Sequence, residues 1–291
     1  MMGFLEEMAG LAGKVAVVTG GAGGLGWPIA RDFARAGMHV AICDRDAEAI
    51  ETVRAELEAM PVKTLLVHAD VREPEAMEAF FTRIDEVFGR VDVLVDVPGG
   101  GFVAPLMNTT PKGWNAVMRQ NFLYVLDTTQ HAVRRMQAQK SGGSIIYITS
   151  IEAHRAVPTR AIYGAMKAAV TNLAMSLALE LGTDRIRVNT LAPDIFPTAA
   201  AGSEYNEPSA VNDMRAHIAI PMRRFGKGPD LSGCALFLAS DLSSYVTGST
   251  LHCDGGTMGS SGWYDWPGAD WQVVPPAEVV QPLLGGDRDK D

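Results

Sequence analysis

The chain has 291 residues, 47% hydrophobic and 20% charged, with 25 Lys and Arg against 34 Asp and Glu for a formal net charge of −9. This is globular composition and excludes a chain dominated by disorder. The acidic balance argues against a nucleic-acid partner, which needs a basic footprint, and no unbroken apolar run approaches the roughly 18 residues expected of a membrane span.

Residues 1–12 read as a short helical or loose leader, because Glu6 and Glu7 stand where a secretory signal would carry basic residues. From Lys14 onward, β-branched apolar runs alternate with helical patterns. Strands are predicted at 14–19, 39–43, 63–68, 91–95, 144–149, 187–191 and 250–253, and helices at 24–36, 47–59, 74–88, 114–139, 161–181 and 229–239. Runs this dense in Val and Ile suit strands buried on both faces, and the alternation implies a parallel sheet covered by helices on both sides. The expected fold is α/β, a Rossmann-type doubly wound parallel sheet of seven strands in a single domain over 13–258.

Two regions break the pattern. The irregular stretch 194–221 reads as a lid over a site. The tail 259–291 is rich in Pro and holds three of the five tryptophans, Trp263, Trp266 and Trp271. That clustering predicts a packed segment, placed across a subunit boundary near a pocket, with the last seven residues disordered. The three cysteines, Cys43, Cys234 and Cys253, are widely spaced without a CxxC pair. This pattern implies reduced thiols in a cytoplasmic protein, with no disulfide framework and no metal site.

Thr19-Gly20-Gly21-Ala22-Gly23-Gly24-Leu25-Gly26 joins the first strand to the first helix. Glycines are needed where the chain turns sharply and where backbone must approach a pyrophosphate, and the helix N-terminus offers N–H groups to the phosphates. No Lys-Ser/Thr follows, which excludes a nucleoside-triphosphate loop. Gly20, Gly24, Leu25 and Gly26 are therefore candidate cofactor contacts. Trp27 either packs under the helix or reaches the nicotinamide end. Asp44 ends the second strand, 18 residues after Gly26. A carboxylate there accepts both adenosine ribose hydroxyls and repels the 2′-phosphate of NADP, so NAD is the expected cofactor, with Arg45 a partial offset. Asp70 and Val71 end the third strand, where the carboxylate can meet the adenine amino group.

Tyr163 and Lys167 lie four apart on a helical segment and share a face. Ser150 ends the fifth strand, 13 residues before Tyr163, and Asn121 lies in the preceding helix. A free phenol titrates near about 10, too high for a base at neutral pH. A nearby ammonium and an oxidised nicotinamide would bring it down. Ser150 can orient an alcohol or carbonyl oxygen, and Asn121 can kink its helix and hold a water linking Lys167 to solvent.

Together these residues resemble the short-chain dehydrogenase/reductase family, in its single-domain form, from about Lys14 to Gly256. The resemblance maps the family's catalytic tetrad onto Asn121, Ser150, Tyr163 and Lys167. It places Pro193, Ile195 and Thr198 beside the cofactor, Thr198 standing at the family's PGxxxT threonine. Two departures stand out. The family's NNAG reads Asp96-Val97-Pro98-Gly99, so that Pro98 and Gly99 flank the cofactor without one backbone donor. The glycine of PGxxxT is Asp194, which either lends polarity to the pocket or faces solvent.

The resemblance lines the substrate side with Phe102, Ser150, Ile151, Glu152, His154, Val157 and Phe196, mostly apolar. His154 is either a polar contact or a surface histidine, and Met214 and Met222 either wall the pocket or fill core. The expected activity is NAD-dependent interconversion of a medium-sized, mainly apolar secondary alcohol and its ketone: alicyclic, terpenoid, steroid or hydroxyacyl. The alternatives are an NADPH-dependent reductase of 3-oxoacyl chains on a carrier and, in another class, a non-catalytic NAD sensor. The expected partner is that small molecule, with no nucleic acid and no membrane, and the family implies a homotetramer or homodimer.

Overall fold

Seven short runs, apolar on both faces, pair into one parallel sheet because only a sheet covered on both sides can bury them. The computed structural model describes residues 3–198 and 209–284. In chain order the sheet comprises β1 (Val15–Thr19), β2 (His39–Asp44), β3 (Thr64–His68), β4 (Val93–Asp96), β5 (Gly143–Ile148), β6 (Ile186–Pro193) and β7 (Thr250–Cys253). Their spatial order is β3-β2-β1-β4-β5-β6-β7, all parallel.

The helices are α1 (Phe4–Ala9), α2 (Gly26–Arg35), α3 (Ala47–Glu58), α4 (Pro74–Val87), α5 (Pro111–Met118), α6 (Tyr124–Gln139), α7 (Ala161–Leu181), α8 (Ala210–Ala219), α9 (Gly228–Ala239) and α10 (Ala277–Leu284). One core packs Ile29 and Phe33 of α2, Leu57 of α3 and Leu231 of α9 on one face of the sheet. The other packs Phe80 of α4, Tyr124 of α6 and Val170 of α7 on the opposite face. This is the doubly wound arrangement expected. Trp27 packs against the first core.

The helix expected at 114–139 starts instead at Pro111, whose fixed φ suits the first helical position, behind the Thr110 cap. It then widens into a π turn at Arg119–Leu123 around Asn121. α7 is long and apolar enough to cross a membrane by length and composition, but its inner face packs on the sheet and carries Lys167 into the site.

Leader residues 4–9 form an exposed helical turn and a half. In the tail, Tyr264–Asp265 and Trp271–Gln272 pair as a small antiparallel hairpin. Asp265 is buried there, ion-paired to Arg223 and 3.6 Å from His217 of α8. The hairpin thus packs on α8 of its own chain. Part of the expected lid, 199–208, and the closing residues 285–291 lie outside the described residues.

Candidate active site

The strand order turns back between β1 and β4, and a cleft of about 620 Å³ opens at the C-terminal ends of the strands around that point. The tight loops leaving β1, β2, β3, β4, β5 and β6 all reach it.

The nucleotide end is shaped by the glycine turn. Gly20 and Gly24 hold φ of +61° and +50°, in the left-handed region. A Cβ on Gly26 would lie 2.0 Å from the Gly20 carbonyl oxygen, whereas the space beside Gly23 and Gly24 is open. That closed inner side and open outer side fit a pyrophosphate laid on the backbone. Leu25, Asp44, Arg45, Asp70, Val71, Pro98 and Gly99 line the same cleft.

Asp44 accepts from Ala22 N at 3.2 Å and Asp46 N at 3.0 Å. These bonds fix the carboxylate at the cleft edge and leave lone pairs for ribose hydroxyls. Asp70 is differently placed. Arg72 holds both its oxygens, and that guanidinium keeps the carboxyl below its usual range, so an adenine amino group would have to share an already paired acid. Pro98 packs its ring over Gly20 and lends its carbonyl to Tyr124 Oη at 2.8 Å.

The reacting end brings three tetrad members to the cleft wall: Ser150, Tyr163 and Lys167. Ser150 stands beside Tyr163 on the cleft wall, and its Oγ accepts from Glu152 N at 3.2 Å. Lys167, 3% exposed, donates to Ile148 O at 2.8 Å, with Nζ 5.9 Å from the Tyr163 ring centroid. Burial lowers this ammonium to about 8.

Burial pushes Tyr163 above its usual value, with Ser150 and Arg160 opposing. Lys167 alone therefore does not bring it down, and the protein by itself holds Tyr163 protonated. Fully buried Asn121 accepts from Gly100 N at 2.9 Å and donates to Gly100 O at 2.7 Å and Val117 O at 2.8 Å. Its side chain clasps the β4–α5 loop, and the expected helix distortion is the π turn.

The substrate end is the less expected part. Phe102 packs over Gly113 and shares a small depression with Tyr163. Glu152 pairs with Arg155 at 2.9 Å, and Arg155 lies 3.6 Å from Asp194. Burial raises the Asp194 carboxyl, with Thr257 and Arg155 opposing. Of the two readings of Asp194, the structure takes the polar one: the side chain is only 9% exposed and lines the cleft. Pro193 and Thr198 line it too.

Three expected contacts lie elsewhere. Ile195 and Phe196 line a second cavity of about 340 Å³ between β6, α9 and β7, where the Phe196 ring covers Gly226. An aromatic ring spent on that glycine cannot also face the cleft. His154 turns to His252 of β7, with ring centroids 4.9 Å apart, and burial lowers its pKa. Met222 lines the second cavity, and Met214 is half exposed on α8.

Sequence reasoning missed Thr149, Gly100 and Gln120 of the cleft lining. Thr149 directly precedes Ser150 and Gly100 directly follows Gly99, both already marked, a signal that could have found them. It also missed the Arg155–Asp194 pair, which brings together residues 39 positions apart and leaves no local pattern.

A family model described as enoyl-(acyl carrier protein) reductase matches residues 20–258. The chain is 36% identical to 3β-hydroxysteroid dehydrogenase 1 of Eggerthella lenta, over 84% of this chain and 94% of that protein. It is 33% identical to a 3-oxoacyl-[acyl-carrier-protein] reductase of rhamnolipid biosynthesis from Pseudomonas aeruginosa, over 84% and 96%. Among solved structures, a 7α-hydroxysteroid dehydrogenase complexed with NADH and 7-oxo glycochenodeoxycholic acid superposes with a TM-score of 0.81 at 29% identity, covering 88% of this chain and 98% of that one.

Proposed function

The chain belongs to the short-chain dehydrogenase/reductase family, oxidoreductases that act on hydroxyl and keto groups with a nicotinamide cofactor. We propose that it uses NAD to interconvert a medium-sized, mainly apolar secondary alcohol and its ketone, with Tyr163 as the acid and base. The observation that carries this reading is one cleft with Asp44 at its nucleotide end and Ser150 and Tyr163, backed by buried Lys167, at its reacting end.

The glycine turn would hold the pyrophosphate, Asp44 the adenosine ribose and Lys167 the nicotinamide ribose. When bound, the nicotinamide ring supplies or accepts the hydride. Ser150 then holds the substrate oxygen, and Tyr163 Oη gives that oxygen a proton in the ketone direction. In the alcohol direction the Tyr163 phenolate must form to take the hydroxyl proton, and burial of the side chain works against that ionisation. Positive charge beyond Lys167 is needed for that direction, which ties proton transfer to the oxidised state of the cofactor.

A steroid-like or terpenoid substrate is favoured by the apolar strip beside Tyr163. Phe102 and Leu106, which share a depression with Tyr163, both stand at least 40% exposed. The hydroxysteroid dehydrogenases among the relatives point the same way. The Pseudomonas relative favours a second reading, NADPH-linked reduction of 3-oxoacyl chains, which Asp44 and the net charge of −9 oppose.

We place the protein in the cytoplasm, as a homotetramer or homodimer joined through exposed apolar residues of the α6 and α7 region, Leu126, Met175 and Leu179 among them. Light scattering on the purified protein tests the assembly. Tyr163→Phe tests the function: NAD binding should persist while secondary-alcohol turnover falls by a factor on the order of 10²–10⁴. Unchanged turnover would overturn the assignment.

A further inference from the structure

Cys234 sits midway along α9 and Cys253 ends β7, and the fold brings the two cysteines together on the wall of one cavity. Cys253 Sγ also lies 3.4 Å from the Asp230 carbonyl. Both thiols are part-exposed and line the second cavity, on the other side of Asp194 from the catalytic cleft. Cys43, by contrast, is fully buried under the sheet, and burial holds its thiol protonated.

We propose that Cys234 and Cys253 are a reversible oxidation site, a dithiol that hydroperoxides convert to an intramolecular disulfide. The two thiols are not equivalent. The neighbouring Cys253 thiol lowers Cys234, which supplies the thiolate, while Cys253 is pushed up and keeps its proton. The thiolate attacks one peroxide oxygen and breaks the O–O bond. Hydroxide leaves and is protonated to water, and Cys234 becomes a sulfenic acid. Cys253 sulfur then attacks Cys234 sulfur and its proton leaves with the hydroxyl as a second water. Two thiols have lost two electrons and one peroxide has gained them. The new bond joins α9 to β7 across the cavity mouth.

Cys43 makes the test clean. The reduced native protein should show two titratable thiols, Cys234 and Cys253, with the third appearing only on denaturation. Stoichiometric hydrogen peroxide should reduce the native count to none and leave one in denaturant. A peptide map should show a Cys234–Cys253 link that dithiothreitol reverses. Cys253→Ser should trap the sulfenic acid on Cys234 instead. The wild-type map stands without the variant, should that fold poorly. Oxygen added to either cysteine of the wild type without a linked peptide, or a link between two chains, would overturn the proposal.

Discussion

At the nucleotide end of the cleft, contacts come from residues that directly follow a strand: the glycine turn after β1, Asp44 closing β2, Asp70 and Val71 after β3, Pro98 and Gly99 after β4. At the substrate end, Arg155 from the β5–α7 connection meets Asp194 after β6, and Asp194 meets Thr257 after β7. The first kind of site is local, fixed by where a parallel strand ends and which φ values the next residues can adopt. The second kind is assembled from distant segments by packing and charge. A local site is rigid and intolerant of change, whereas an assembled one is free to vary with substrate.

The largest effect should come from breaking the local half. In Gly26→Ala the new Cβ falls 2.0 Å from the Gly20 carbonyl oxygen, a backbone atom that cannot move without opening the turn. Loss of measurable NAD binding in calorimetry and a lower Tm are expected together. Tight binding by this variant would show that the turn is not the phosphate cradle. Asp44→Ala should come next, lowering kcat/KM with NAD by on the order of 10-fold or more and raising it with NADP, since both ribose acceptance and phosphate repulsion vanish.

Asp96 sharpens the contrast from beneath the site. Its carboxylate, 1% exposed, accepts from Thr19 Oγ1 at 3.0 Å and Thr128 Oγ1 at 2.7 Å. Burial nonetheless raises it to about 7. An unfolded Asp titrates near about 4. The folded chain thus keeps a proton that the unfolded chain releases between about pH 4 and 7, and stability drains away as pH rises through that window, by a few kcal/mol. Asp96→Asn removes the titration. Its Tm advantage over the wild type should grow from pH 5 to pH 8; a constant difference would contradict the buried charge.

The smallest effect belongs to the assembled half. Arg155→Ala removes a partner from both Glu152 and Asp194, and steady-state kinetics should show a few-fold rise in KM for substrate with kcat and NAD affinity little changed. An equal loss in NAD affinity would mean that Asp194 serves the cofactor end instead.

The same contrast governs what the sequence disclosed. The seven strands, the glycine turn, Asp44 and the Ser150, Tyr163 and Lys167 set were readable because each depends on spacing along one or two adjacent elements. Asn121 was readable as a helix distortion, but its clasp on Gly100 was not. Phe196 and His154 were read as cleft residues because they follow strands or turns that reach it. Their side chains instead fill space over Gly226 and beside His252, a choice made by tertiary packing. The raised pKa of Tyr163 escaped for a related reason: the ammonium four residues away is visible in sequence, and the desolvation that raises the phenol is not.

The most direct measurement compares kcat/KM for NAD and NADP over a panel of hydroxysteroids and other alicyclic secondary alcohols, read by nicotinamide absorbance. The account predicts NADH formation with at least one ring-bearing alcohol and a preference for NAD of on the order of 10-fold or more. Turnover confined to NADPH and 3-oxoacyl thioesters would contradict it.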